Sequence, residues 1–211
     1  MRNCLLVVAA LSFAACSGSN ASGSSGKSSA GGSSSSGSGG SSPGAGGGST
    51  GTSGGVPPGG KRIFVTSTIY VGSSFGGVDG ADQQCNLSAQ SQNLDGTWKA
   101  ILSNSNTAAF DRLADVGPWY LLDGTKVFNN KAGLATTPLA PIDITEQGQQ
   151  VKGDATVWTG TQSGGTAGSD CNGWTDPTAR GTIGLVFSTT SWIQHDSDFC
   201  SNAHSLYCIE Q

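Results

Sequence analysis

The chain contains few charged residues, and basic residues are the scarcest among them. Charged residues make up 11% of its 211 residues, and only ten are Lys or Arg. Residues 61–211 hold all fourteen acids but only eight of the bases, so their net charge is about −6. Nucleic acids and heparin-like polyanions bind to basic patches. The scarcity of bases therefore excludes nucleic acid from the partners that we expect.

Histidine is scarce as well, with His195 and His204 as the two examples in the chain. The histidines and cysteines do not stand at the spacing of a zinc site. Although His195 adjoins Asp196, a Ser-His-Asp set is defined by geometry, and serines are too frequent here for the sequence to single one out. We therefore expect neither a zinc centre nor catalysis. The first alternative to this expectation is an enzyme that acts on envelope polysaccharide.

Long apolar runs are missing too, apart from one short stretch near the N-terminus, residues 5–13. A membrane-spanning helix needs about 20 apolar residues, so this stretch is too short. Arg2 precedes it and Ala14-Ala15-Cys16 follows it, an order that resembles the signal of bacterial lipoproteins. That resemblance implies a signal peptide at 1–15 and a lipid on Cys16 that binds the membrane. An ordinary secretory signal is the alternative.

The segment that follows consists almost entirely of Ser and Gly. Seventeen of the 34 glycines lie in residues 17–60. Such a composition buries too little apolar surface to offset the entropy of ordering. We therefore predict that 16–60 is the lipidated Cys16 and a disordered Ser/Gly-rich tether, which spans roughly 35 Å as a coil. Ser17 stands where an inner-membrane lipoprotein carries Asp, which favours an exported protein anchored in a bacterial outer membrane.

Residues 61–211 carry the aromatic residues that a core requires, with all five Trp and six of the seven Phe. Their length fits one domain. Ala81, Cys85 and Ala89 recur at every fourth position, which predicts one buried stripe on a helix capped by Asp79. Short β-branched runs predict several strands along the rest of the domain. The pattern is typical of an α+β domain.

Several segments of this domain resemble the endostatin domain of collagens. They read GGVDGADQQC at 76–85, LDGTWKAILS at 94–103, VWTG at 157–160, CNGW at 171–174, and DFCSNAH followed by LYCIE within 198–210. The chain is similar in this respect to bacterial lipoproteins that carry an endostatin-like domain, most of them of unknown function. The resemblance implies a C-type lectin-like fold for 61–211.

The four cysteines of the domain allow three disulfide pairings, and an exported protein favours oxidised cysteines. The resemblance to endostatin implies the pairs Cys85–Cys208 and Cys171–Cys200. The first pair would join an early helix to the final strand, and the second would brace a long loop. We therefore predict an α+β, C-type lectin-like domain with two disulfides.

The zinc chemistry of the endostatin family is not expected here, because residues 61–74 lack its histidines. Many C-type lectins bind sugar through calcium, and Asp and Asn supply the oxygen ligands that calcium needs. The weak calcium candidates are Asp170, Asn172, Asp196 and Asp198. We expect no cofactor and keep calcium as an alternative.

The candidates for ligand binding flank the second predicted disulfide. A Trp ring can form a platform for a sugar or an anchor for a protein partner, and Asp and Asn can bind hydroxyl groups. The candidates are Trp174, Trp192, Asp176, Asp196, Asp198 and Asn202. We expect a surface-tethered module that binds an extracellular glycan or protein through its long-loop face, without catalysis. A structural envelope protein without a specific ligand is the second alternative.

Overall fold

A computed structural model gives the fold, and it describes residues 55–211. The predicted signal peptide 1–15, the predicted lipid attachment at Cys16 and the tether up to residue 54 lie outside the described residues. The described residues belong to one compact unit. No helix among them is both long enough and apolar enough to cross a membrane.

Nine strands of the described chain form one mixed sheet. They are β1 Lys61–Val65, β2 Tyr70–Val71, β3 Trp98–Ala100, β4 Trp119–Tyr120, β5 Lys126–Phe128, β6 Thr156–Trp158, β7 Arg180–Leu185, β8 Asp196–Phe199 and β9 Ala203–Glu210. Neighbours follow the order β5-β4-β1-β9-β6-β7-β8, and β2 and β3 also pair with β9. β1 is parallel to β4 and β6 is parallel to β9, whereas the other pairs are antiparallel.

β9 is a central strand of the sheet, and both of its faces are covered. Its last six residues are buried. Tyr207 and Ile209 join one hydrophobic core, whereas Leu206 and Cys208 join the other. Successive side chains of a strand point to opposite faces, and a strand that is buried on both faces is therefore apolar almost throughout. β9 separates the two cores and contributes to both.

A single long helix, α1 Gly77–Ser91, packs against β3 and β9. Ala81, Cys85 and Ala89 are its buried residues, which confirms the predicted stripe. Small side chains on this face allow the helix to approach the sheet closely. The domain is thus mixed and rich in strands, with α1 and two short 3₁₀ helices, Ala109–Arg112 and Lys131–Ala135.

The start of α1 differs from the prediction that Asp79 caps the helix. The helix begins after Gly76, whose φ of 84° lies in the left-handed region that favours glycine. Asp79 lies inside the first turn instead, where a negative charge still interacts favourably with the helix dipole. Gly80 allows this turn to form, because a Cβ at that position would lie 1.6 Å from the carbonyl oxygen of Phe75.

Both predicted disulfides are present. Cys85–Cys208 links α1 to β9 with a Cα–Cα distance of 5.4 Å, and Cys171–Cys200 links the loop before β7 to the residue after β8 with a distance of 5.8 Å. All four cysteines are completely buried. Such cross-links are typical of proteins that fold in an oxidising compartment, either outside the cell or in the periplasm.

Candidate functional site

The loop before β7 forms a left-handed turn beside the second disulfide. φ is positive at all four residues of Cys171–Trp174, with values between 53° and 76°. A left-handed conformation costs roughly 1–2 kcal/mol for each residue other than glycine, so tertiary contacts must hold this turn. The bond from Cys171 to Cys200 holds one end, and the buried side chain of Trp174 holds the other.

Trp174 and Trp192 are buried side chains, and their binding of a ligand stays a prediction. Their residue exposures are 0% and 2%. The indole N–H of Trp174 donates to the carbonyl of Ser103 at 2.9 Å, and that of Trp192 donates to the carbonyl of Thr136 at 3.3 Å. A platform for a sugar ring needs an exposed ring face, which neither side chain offers. The two indoles instead anchor their loops, one in each core.

The predicted acidic and amide candidates form separate hydrogen-bonded groups. Nδ2 of Asn172 donates to Oδ2 of Asp176 at 2.8 Å. Hydrogen bonds from the side chain and backbone of Thr178 lower the pKa of Asp176. The carboxylate of Asp170 accepts from the backbone amide of Ser105 at 2.7 Å. Asp176 therefore holds its own loop, whereas Asp170 joins its loop to the segment around Ser105.

The calcium candidates do not converge on one point. Calcium takes about six or more oxygen ligands, several of them from carboxylates. Within residues 55–211, no three side chains of His, Cys, Asp or Glu lie together as ligands of a metal ion. Asp170, Asn172 and Asp198 each hydrogen bond to different neighbours, and Asp196 accepts from the amide of the next residue. Calcium dependence remains an untested prediction.

A shallow depression with polar walls lies beside β7 and β8. It has a volume of about 320 Å³ and is lined by Gln162, Ser169, Thr182, Gln194, His195, Asp196 and Ser197. We call it the polar depression. Asp196 is a predicted ligand-binding residue that lines it, whereas Asp176, Asp198 and Asn202 do not. Sequence reasoning missed its neutral residues, because no motif marks them.

Backbone amides of the surrounding loops fix the walls of the polar depression. Thr182 on β7 pairs with Ser197 on β8, and Oγ1 of Thr182 accepts from the amide of Ser169 at 3.1 Å. Oε1 of Gln194 accepts from the amide of Ser163 at 2.7 Å. This bond orients the side-chain NH₂ group of Gln194, which can then donate to a ligand.

A chain of hydrogen bonds joins Asp198, His204 and Thr156. Oδ2 of Asp198 lies 3.0 Å from Nε2 of His204, and Nδ1 of His204 lies 2.5 Å from Oγ1 of Thr156. An ionised carboxylate can only accept, so Nε2 donates to Asp198 and Nδ1 accepts from the hydroxyl. This order of groups matches a catalytic triad, but neither His204 nor Thr156 lines the polar depression. The chain of bonds connects β6, β8 and β9.

Burial and hydrogen bonds set the protonation states of this chain. Burial lowers the pKa of His204 from its ordinary value of 6.5, although Asp198 acts to raise it. Burial acts to raise the pKa of Asp198, but hydrogen bonds from Asn202, from the amide of Phe199 and from His204 outweigh it and lower that pKa from 3.8. At neutral pH the pair is therefore a neutral imidazole and a carboxylate.

The substitution His204→Gln is expected to reduce the loss of stability on acidification. A partly buried histidine that is neutral in the folded state contributes stability that is fully present above its unfolded pKa of about 6.5 and is lost as the pH falls through the lower folded pKa. The free energy of unfolding should therefore fall between about pH 7 and about pH 5, and less steeply in the variant. Urea unfolding at both pH values measures this slope. A slope in His204→Gln equal to that of the wild type would contradict the assigned state.

The segment GSSFG at 72–76 has the Gly-x-Ser-x-Gly spacing of a nucleophile elbow and lies between β2 and α1. In such an elbow a strained turn presents the serine hydroxyl to a histidine. Ser74 is exposed, but its φ is not positive, and among residues 55–211 its hydroxyl makes no hydrogen bond to a histidine. The motif therefore lacks the base that would activate it.

Comparison with protein families places most of the domain in a family model. The family model described as "Protein of unknown function (DUF1554)" matches residues 68–191, which is more than half of the chain. The matched segment contains α1, the left-handed turn and β7, and it ends before β8. A search of curated proteins found no match.

Proposed function

This chain belongs to the DUF1554 family, and we propose that it is an extracellular binding module that recognises a neutral glycan through the polar depression, without catalysis. The composition of that depression is the observation that carries the proposal. Five of its residues carry neutral amide or hydroxyl side chains, namely Gln162, Ser169, Thr182, Gln194 and Ser197. Such groups can donate to and accept from the hydroxyls of a sugar.

The charge of the domain supports a neutral ligand over an acidic one. Residues 61–211 carry eight bases against fourteen acids. Asp196 lines the polar depression, and no Lys or Arg is among the residues that line it. A sulfated or phosphorylated glycan would meet repulsion at such a surface, whereas a neutral one would not.

The fold and the attachment to the cell are parts of the same proposal. A strand-rich mixed domain, with an early helix bridged to the last strand and a second bridge beside a loop, supports the C-type lectin-like fold. Export is supported by the two disulfides. The lipid on Cys16, the tether 16–60 and the outer-membrane location are supported by the sequence alone. The alternatives are an enzyme on envelope polysaccharide and a structural envelope protein. For the enzyme, the hydrogen-bonded order of Asp198, His204 and Thr156 is the nearest feature, but His204 and Thr156 do not line the polar depression.

The proposal is tested by applying the purified protein to an array of neutral and acidic glycans. We expect binding to neutral glycans, and a loss of at least about tenfold in affinity for Gln194→Ala/Asp196→Ala. Gln149→Ala/Asp154→Ala is the matched control, because both residues are exposed and do not line the polar depression. A parallel array with a calcium chelator tests calcium dependence. Absence of binding to every glycan, or full binding by the first variant, would contradict the proposal.

A further inference from the structure

A second cavity lies on another part of the domain, between α1 and the loops that flank β1 and Glu146. It has a volume of about 360 Å³ and is lined by Ser67, Thr68, Tyr70, Gln84, Leu87, Ser88, Ser91, Glu146 and Gln147. We call it the helix groove. It shares no residue with the polar depression.

Glu146 gives the helix groove a buried negative charge. This residue is 5% exposed, yet it lines the groove. Oε2 accepts from the backbone amide of Ser67 at 2.8 Å, and Oε1 accepts from the hydroxyl of the same residue. Within residues 55–211, Glu146 takes part in no ion pair. A buried carboxylate is stabilised most by a cation, and the fold itself does not provide one here.

Apolar and aromatic side chains line the same groove. Leu87 and Tyr70 are among its lining residues, and Leu87, which is 50% exposed, forms an apolar rim. The hydroxyl of Tyr70 lies 3.3 Å from Oγ of Ser88, which also lines the groove. The methylene stem of a long cationic side chain can cover such an apolar rim while the charged end of the same side chain reaches a polar group below.

We propose that the helix groove binds a lysine side chain of a protein partner, with its ammonium group at Glu146 and its methylene stem against Leu87. Both carboxylate oxygens already accept from Ser67, so a bidentate arginine fork would have to compete with these bonds. An ammonium group needs a single oxygen and directs its other protons at neighbouring hydroxyls. The net negative charge of the domain favours approach of a cationic partner.

The first test needs no variant of the protein. Titration of the protein with Nα-acetyl-lysine amide is followed by amide chemical shifts. We expect saturable shifts at 67–70, 84–91 and 146–147, and at least about tenfold weaker binding of the Nα,Nε-diacetyl analogue, because it lacks the charge. Equal binding of the two lysine analogues, or shifts elsewhere only, would overturn the proposal. Tighter binding of Nα-acetyl-arginine amide would overturn the choice of lysine.

Two variants test the two ends of the ligand separately. Glu146→Gln should weaken binding of Nα-acetyl-lysine amide by at least about tenfold, and Asp154→Asn, an exposed acid outside the groove, should not change it. Because Glu146 is buried and its replacement can disturb the fold, Leu87→Ser provides a second test on the exposed rim. It should weaken binding several-fold, whereas Leu139→Ser, 62% exposed and outside the groove, should not. Unchanged binding in Leu87→Ser would overturn the proposal. Since glycan binding involves other residues, its failure would leave these results intact.

Discussion

Replacement of both Cys85 and Cys208 by alanine is expected to lower the free energy of unfolding by about 5 kcal/mol. The two residues are 123 positions apart, so the disulfide closes a very long loop in the unfolded chain. In the chain-entropy model the stabilisation grows with the logarithm of loop length. The bond also holds α1 against β9, the strand that contributes to both cores. Urea unfolding followed by Trp fluorescence measures the loss.

The second disulfide supplies the matched control. Cys171→Ala/Cys200→Ala opens a loop with a sequence separation of 29, and the same model gives a loss of about 3.5 kcal/mol. All four cysteines are completely buried, so the difference of about 1.5 kcal/mol reports mainly on loop length. A domain of this size is stabilised by only about 5–15 kcal/mol, so the first variant is expected to lose between about a third and all of that stability. A larger loss for Cys171→Ala/Cys200→Ala would contradict the expected order.

The sequence predicted those parts of the fold that depend on local pattern. Ala81, Cys85 and Ala89 recur with the period of a helix, and a periodic stripe of small residues leaves little doubt about which face is buried. The order of the cysteines resembles a known framework, and that resemblance supplied the pairing that four cysteines alone leave open. Both signals can be read without knowledge of the tertiary structure.

The sequence could not predict burial inside the Gly- and Asp-rich loops. Trp174 is surrounded in sequence by Asn, Gly, Thr and Asp, which favours a solvated turn. Its burial depends on the left-handed turn and on residues far away in the chain, such as Ser103 and Phe75, whose ring centre lies 5.2 Å from that of Trp174. The sequence does not predict β8 either. Its residues Asp-Ser-Asp-Phe have low strand propensity and form a strand because they pair with β7.

The two proposed sites depend on long-range packing in the same way. The polar depression combines residues from 162 to 197 that share no spacing. Glu146 lies in a loop of ordinary composition, and its burial follows from the contact with Ser67, which is 79 positions away. Sites of this kind are built from single residues of separate segments, so neither period nor motif could mark them.

Trp158→Ala is expected to lower the free energy of unfolding by about 4 kcal/mol, since truncation of a buried Trp leaves a large cavity. Trp158 is completely buried, and its ring centre lies 5.7 Å from that of Trp174 and 4.4 Å from that of His204. Its indole N–H donates to the carbonyl of Tyr70 at 2.9 Å, a bond that the variant also loses. Urea unfolding at neutral pH measures the change. Phe187→Ala, at an aromatic residue that is 40% exposed, should cost about 1 kcal/mol or less.

A double-mutant cycle with Gly181 tests whether the ring of Trp158 is the reason for that glycine. A Cβ at position 181 would lie 2.9 Å from the ring of Trp158 and 2.9 Å from Sγ of Cys171. Gly181→Ala alone should therefore be destabilising, by about 1–3 kcal/mol for an overpacked core. In the Trp158→Ala background the added methyl group enters the cavity, and its cost should fall by at least about 1 kcal/mol. Equal costs in the two backgrounds would instead assign the constraint to the disulfide sulfur, which both proteins retain.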